Sequence, residues 1–320
     1  MTLFVYDQDR IAFVESLRGA LGQLCTSSFI RTFRTEQSSW QLAENLYQDL
    51  GILEFSQDDS CTVLDLALIA KEIGASLATA NVIQSALLEG VAKRVVNLNL
   101  KDTPVCFGFE TPSGQTLSFV PSNSCKSVIA IPNSGLLSSD NLSVYSCNLN
   151  NSSLHNCLDI TELSFAAEKS SVSQSTLSSE QSRFIRNSLL IVLSAELCGI
   201  VEKIMAITTD YVKTRKQFGV PIGSFQAVSH QLSDCYLVSE SCWSLVECAA
   251  VGMDDFTVKS AAMYCAENIP VALETTLQLH GGIGFTWEYD LHLYLRRARK
   301  IAALINPKAS DYQQLLSLAV

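Results

Sequence analysis

The sequence predicts an α+β protein in three parts: an N-terminal helical domain over residues 1–102, a small middle β-barrel or sandwich domain over 103–168, and a C-terminal four-helix bundle over 169–320. Three observations lead there. Apolar residues recur at helical three- and four-residue spacing towards both ends of the chain. Short apolar runs broken by Gly, Pro, Asn and Ser fill the middle. No helical crossover lies between those runs, which favours a barrel or sandwich over a parallel sheet. With 320 residues, 48% of them hydrophobic and 17% charged, the chain can bury a substantial core.

In the first part, Ile11 to Leu24, Ser39 to Leu50 and Val63 to Leu98 read as amphipathic helices. Val63, Leu66, Ala67, Ala70 and Ile73 lay an apolar stripe on one face, and Gly74 after them permits a helix end. The middle part offers five strand-like runs: Val105 to Glu110, Thr116 to Val120, Ser127 to Pro132, Leu142 to Cys147 and Asp159 to Phe165. Lys169 to Ser182, nearly all Ser, Gln, Glu and Thr, reads as a solvated linker or the start of a helix. Four long helices then follow. They run from Arg183 to Thr214, from Phe225 to Ala250, from Asp254 or Asp255 through a kink at Pro270 to His280, and from Leu291 to Ile305. Gly281 with Gly282, and Asn306 with Pro307, mark the last two stops, and four antiparallel helices of this length make a bundle.

Composition narrows the function. Lys plus Arg total 22 against 32 Asp plus Glu, a formal charge of -10, and no basic cluster interleaved with aromatics breaks that balance. Nucleic acid is therefore not an expected partner. The most apolar stretch, Leu189 to Ile207, carries Glu196, Glu202 and Lys203 and reads as a buried helix rather than a membrane span. Met1 to Arg10 has no basic patch ahead of an apolar run, so no secretory signal is expected and a cytoplasmic location follows by default. The 11 cysteines are odd in number and form no CxxC pair, and His155, His230, His280 and His292 are not at ligand spacing. Reduced core thiols are expected, and no metal.

Two motifs carry the chemistry. Tyr211 to Gln226 reads YVKTRKQFGVPIGSFQ, and Gln278 to Phe285 reads QLHGGIGF with Glu288 beyond it. The first resembles the acyl-CoA dehydrogenase segment in which an aromatic residue precedes R-x-x-FG, a phenylalanine and a glutamine at fixed spacing. The second resembles that family's Q-x-x-GG-x-GF. Helical domain, β domain and bundle also follow one another in the family's order. These residue types suit a flavin dinucleotide: a guanidinium clamps a pyrophosphate, an aromatic ring packs on adenosine, and amides bond ribose or phosphate oxygens. The resemblance implies Arg215, Phe218, Gln226, Gln278 and Gly282 as contacts to FAD held mainly by a neighbouring subunit, reached across the interface.

The expected reaction removes the α proton of an acyl-CoA while the β hydrogen leaves as hydride to flavin, and it requires a carboxylate base. Most family members place a glutamate after the last long helix, where this chain has Ile305 or Asn306. A sibling subfamily places it on the first bundle helix, where this chain has Ser188, Leu189 and Leu190. No catalytic base is therefore assigned. The middle part is shorter than the family's and has no tryptophan, the three being Trp40, Trp243 and Trp287, and Ser56 to Cys61 replaces an acidic Gly-Gly turn.

What is missing would complete a site within one subunit; what remains serves a partner's site. The stretch GIGFTWEYDLHLYLRR, from Gly282 to Arg297, resembles steroid side-chain dehydrogenases built as α2β2 heterotetramers of unlike subunits. The resemblance implies a subunit of an FAD-dependent acyl-CoA dehydrogenase of lipid or steroid catabolism, with an unlike partner supplying the base and a bulky acyl-CoA as substrate. Two alternatives stand beside it: a catalytically silent interaction subunit, and a homomeric enzyme with a relocated base such as Glu196, Asp210 or Asp311. Glu288, Asp290, Arg296, Arg297 and Arg299 are expected to form interhelical ion pairs.

Overall fold

The computed structural model describes residues 6–32, 49–52, 55, 58, 60–78, 105–110, 116–118, 127–132, 135–138, 141–146, 153–155, 159, 164–167 and 175–318. Its N-terminal helices are α1 (Gln8–Leu24), α2 (Ser27–Thr32) and α3 (Val63–Ser76). Strands follow as β1 (Val105–Glu110), β2 (Thr116–Ser118), β3 (Ser127–Ile131), β4 (Ser143–Ser146), β5 (Ser153–His155), β6 (Ser164–Ala167) and β7 (Ser175–Thr176). The C-terminal part holds α4 (Ser179–Thr214), the short β8 (Lys216–Gln217) and β9 (Val220–Pro221), then α5 (Gln226–Gly252), α6 (Asp255–His280), α7 (Leu291–Ile305) and α8 (Ala309–Leu318). Residues 39–48 and 79–98, where further helix is expected, lie outside the described residues.

The centre of the molecule is α4, whose stretch from residue 185 to 201 is buried without interruption and so has no solvent face. It starts earlier than Arg183: the Ser178 hydroxyl accepts from the Gln181 amide while the Gln181 side chain accepts from Ser178 N–H, a capping box inside the polar run. On one side α3 crosses it at near backbone contact. A Cβ on Gly199 would lie 1.8 Å from the Lys71 carbonyl oxygen, and one on Gly74 would lie 2.1 Å from that of Glu196. Gly74 therefore serves close approach rather than the expected helix end, and α3 continues to a left-handed cap at Leu77 with φ +52°.

On the other sides α5, α6 and α7 complete the expected four-helix bundle. Asp254 is the cap of α6, accepting from Thr257 N–H at 3.0 Å, and the helix passes through Pro270 without ending. Asn306 ends α7 in the left-handed region. Buried charge is paired: Arg186 donates to Asp255 at 2.7 Å, and Arg297 sits between Asp159 and Glu196 while donating to the Leu77 and Ala78 carbonyls. The expectation of ion pairs around α7 holds for Asp290 with Arg31, Arg297 with Asp159, and Arg299 with Glu274.

Of the expected barrel or sandwich, closure into a barrel is not seen among the described residues. Strands β1 to β7 form one sheet in the order β5-β6-β2-β1-β3-β4-β7, whose two outer strands do not pair with each other among the described residues, and β8 pairs with β9 apart from it. Closure would need those edges to hydrogen-bond, yet β5 is three residues long and β7 two. Pairing is antiparallel except between β1 and β3, which run parallel in the register Phe107 to Ile129. Residues 128–131 of β3 are buried on both faces, with Ile129 and Ile131 on the side that joins the main core.

Candidate functional site

The first motif begins where α4 ends. Arg215 caps the helix in extended conformation, its N–H donating to the Tyr211 carbonyl at 2.8 Å. The chain then folds into a two-residue hairpin with Lys216 opposite Pro221 and Gln217 opposite Val220. Its apex residues, Phe218 at φ +53° and Gly219 at φ +82°, are both left-handed, the geometry that matches strand twist in tight hairpins and that Asn-Gly ordinarily supplies. A side chain bearing a Cβ pays about 1 kcal/mol there. Phe218 takes that strained position and is 94% exposed, its ring edge-on to Phe225 at 6.2 Å between centroids. Burial does not offset the strain. The hairpin returns through Ile222, whose N–H donates to the Arg215 carbonyl at 2.8 Å, and Gly223 fits against Val212. Gln226 is the exposed first residue of α5.

The second motif forms the end of α6. Gln278 is exposed in its last turn, and Gly281 at φ +65° ends the helix and opens a short turn over Gly281–Phe285. A Cβ on Gly282 would meet nothing within 4 Å, so this backbone is open to approach from outside. Gly284 instead lies against the Leu277 carbonyl and the His280 Cβ. Tyr211 and His280 join the motifs: their rings stack at 4.2 Å between centroids with 22° between planes, and the Tyr211 hydroxyl donates to the His280 carbonyl at 3.4 Å. The end of α4 with its hairpin and the end of α6 with its turn thus share one end of the bundle.

Arg215, Phe218, Gln226, Gln278 and Gly282 are all exposed, and together they form a surface rather than a cavity. Lys213, Arg215 and Lys216 make no ion pair among the described residues, a local excess of positive charge on an acidic chain. Val220, Phe225, Ile283, Phe285 and Trp287 are exposed beside them. Cavities of 360 and 400 Å³, bordered by α1 and α3 and including Arg18, Lys71 and Glu72 in one and Arg10, Phe13 and Phe55 in the other, contain none of the five residues.

Neither base position offers a carboxylate. Ile305 is fully buried at the end of α7, and Asn306 is its cap. Ser188, Leu189 and Leu190 are buried, with the Ser188 hydroxyl donating to the Phe184 carbonyl. Of the relocation candidates, Glu196 is buried 3.6 Å from Arg297. Asp311 accepts from the Ser138 hydroxyl and from Lys308 N–H. Asp210 is exposed one turn before Arg215.

The residue types present suit a dinucleotide: a guanidinium with no ion pair among the described residues, an outward aromatic ring on a strained apex, two exposed amides and a bare glycine backbone. His280 is the residue the sequence alone passed over. Its partners Thr208 and Tyr211 are 72 and 69 positions away, and ligand spacing gave no sign of them.

Parts of the chain are similar to known proteins. Residues 190–304 match the acyl-CoA dehydrogenase C-terminal domain. Acyl-CoA dehydrogenase IpdE2 of Mycobacterium tuberculosis is 38% identical over 133 residues, 42% of this chain and 42% of that relative; FadE28 of the same organism is 32% identical over 124 residues, 36% of each. The matches thus span less than half the length of these curated relatives. In fold, the chain is similar to the ChsE4-ChsE5 complex of Mycobacterium tuberculosis, with a TM-score of 0.76 at 18% identity, and to the Tcur3481-Tcur3483 steroid ACAD, with 0.75 at 17%, each over 98% of both chains. Among the described residues no helix is long and apolar enough to cross a membrane. Residues 190–304 thus match the acyl-CoA dehydrogenase C-terminal domain, within a chain whose fold is similar to that of solved acyl-CoA dehydrogenases.

Proposed function

We propose that this chain is one subunit of an FAD-dependent acyl-CoA dehydrogenase catalysing α,β-dehydrogenation of an acyl-CoA, and that it works with an unlike subunit that supplies the catalytic base. Its three parts are 1–102, 103–168 and 169–320, of which the last carries the flavin contacts. The observation that carries the reading is the combination of an outward-facing, exposed contact set with apolar or non-acidic residues at both base positions. Fold similarity to a complex of two differently named chains and to a steroid ACAD supports an α2β2 assembly and a steroid side-chain or other bulky acyl-CoA.

In this reading the Arg215 guanidinium neutralises phosphate oxygens, the Phe218 ring packs on the adenosine portion, and Gln226 and Gln278 bond ribose or phosphate oxygens. The open backbone at Gly282 lets its amide approach closely. FAD, when bound, supplies the hydride acceptor. The exposed apolar residues around the hairpin and the turn exclude water once the partner covers them. The partner's carboxylate takes the α proton, because Ile305 and Asn306 cannot.

The test compares the chain purified alone with the chain co-expressed with an unlike acyl-CoA dehydrogenase subunit. Bound yellow flavin and acyl-CoA-dependent dye reduction are expected only in the mixture. Turnover by the isolated chain would favour a homomeric enzyme with a relocated base. A stable mixed complex in which Arg215→Ala leaves both flavin and turnover untouched would favour a silent interaction subunit.

A further inference from the structure

His280 is 3% exposed and its hydrogen bonding fixes its tautomer. The Thr208 hydroxyl donates its proton to the Ile204 carbonyl at 2.8 Å, so towards the imidazole it has only a lone pair to offer. The contact of 3.1 Å between His280 Nε2 and Thr208 Oγ1 is therefore an N–H donated by the ring. Nδ1 is left as the unprotonated nitrogen, buried and without a hydrogen-bond partner. A proton there would find no acceptor and would bury a charge, which agrees with burial pulling the ring's pKa down to about 4. The neutral ring contacts two aromatic rings, stacked on Tyr211 and tilted against Tyr289 at 5.5 Å between centroids.

These contacts join the two segments that carry the proposed flavin contacts. Thr208 and Tyr211 belong to the last two turns of α4, and the Tyr211 carbonyl receives the Arg215 N–H that starts the hairpin. His280 is the last residue of α6, its Cβ supports Gly284, and its carbonyl, which accepts from the Tyr211 hydroxyl, belongs to the peptide that leads into Gly281. We propose that His280 is a positioning residue: stacked on Tyr211, packed against Tyr289 and bonded to Thr208, it sets the spacing and orientation of the Arg215 hairpin relative to the Gly281–Phe285 turn. The proposal rests on the flavin reading above for its functional consequence, but the coupling itself belongs to the free chain. Preorganised donors hold a ligand better than donors that must be ordered on binding, so loss of this ring weakens retention without removing any contacting group.

The experiment reads the two consequences separately. In the isolated chain, amide exchange is followed at residues 215–226 and 281–285 in wild type, His280→Ala, His280→Phe and the milder Thr208→Val. His280→Ala is expected to speed exchange in both segments together by about tenfold, with residues 190–205 unchanged, and His280→Phe, which keeps a stacked ring, to restore most of the protection. Exchange that changes in the turn alone, or in neither segment, overturns the proposal. Should His280→Ala fail to fold, Thr208→Val carries the same comparison. In the co-expressed complex, His280→Ala is expected to raise the FAD dissociation rate about tenfold, and His280→Phe to bring it back towards wild type. If exchange couples the segments while neither His280→Ala nor Arg215→Ala alters FAD release, the positioning role stands and the flavin reading is what fails.

Discussion

Arg297 and Asp159 form a 2.7 Å ion pair with the first side chain 0% and the second 2% exposed. The guanidinium also donates to the Ala78 carbonyl at 2.6 Å and to the Leu77 carbonyl at 3.3 Å, and lies 3.6 Å from Glu196. One cation on α7 thereby ties together the residues after α3, a residue between β5 and β6, and the middle of α4. Removing Asp159 leaves the buried guanidinium with a longer contact to Glu196 and two carbonyls in place of its 2.7 Å partner, so Asp159→Ala should destabilise the chain by about 3 kcal/mol. Urea denaturation measures this, and a loss below about 1 kcal/mol would mean that Glu196 and the two carbonyls suffice.

The crossing of α3 on α4 gives a second prediction. The Lys71 carbonyl oxygen occupies the space where a Cβ on Gly199 would be, and backbone on both sides cannot rotate away as a side chain can. Gly199→Ala should therefore push the helices apart and destabilise by about 3 kcal/mol. Gly22→Ala on α1 is the control, since nothing lies within 4 Å of its Cβ. There the gain in helix propensity should raise stability by about 0.5–1 kcal/mol. Equal effects of the two substitutions would show that the crossing tolerates separation.

How much of this could be read from the sequence depended on how local each cause was. The long bundle helices were legible because their stripes and stops, such as Asp254 and Gly281, lie within a few residues of the ends they define. Gly74 was misread because a glycine that ends a helix and one that admits another helix look alike in one dimension, and only Gly199 and Glu196, more than a hundred residues on, distinguish them. Barrel closure was not legible at all: strand composition says nothing about whether two short edges meet. At the site, Arg215, Phe218 and Gln278 were legible as motif positions. The strain at Phe218 and the stacking of His280 on Tyr211 were not, since one is a backbone angle and the other a contact across two helices.

Acid should act on the fold in two separate windows. The His280 pKa falls from an ordinary 6.5 to about 4, so between those values the unfolded chain takes up a proton that the folded chain refuses. Stability is therefore greatest above pH 6.5, declines as pH falls to about 4, and loses nothing further to this group below that. Asp254 is held below its ordinary 3.8 by hydrogen bonds from Thr257, so its contribution is present above 3.8 and is lost only at lower pH. Denaturation midpoints of wild type and His280→Phe measured at pH 7 and 5 separate the two. Wild type should lose more over that interval, and equal losses would remove His280 as the titrating group.

The apex of the hairpin allows stability and function to be moved in opposite directions. Phe218 holds φ +53° with almost no burial to offset the strain, whereas Asn is the residue that a left-handed first position before Gly219 ordinarily takes. Phe218→Asn should therefore stabilise the free chain, by about 0.5–1 kcal/mol, while leaving the register of Lys216 with Pro221 intact. If the ring is there to pack on a dinucleotide held by the partner, the same substitution should lower FAD occupancy of the co-expressed complex several-fold, because the aromatic face is the only part removed. A rise in thermal midpoint of the free chain together with a fall in bound flavin is the expected pair of results. A rise in midpoint with undiminished flavin would leave the exposed ring without a role at the interface.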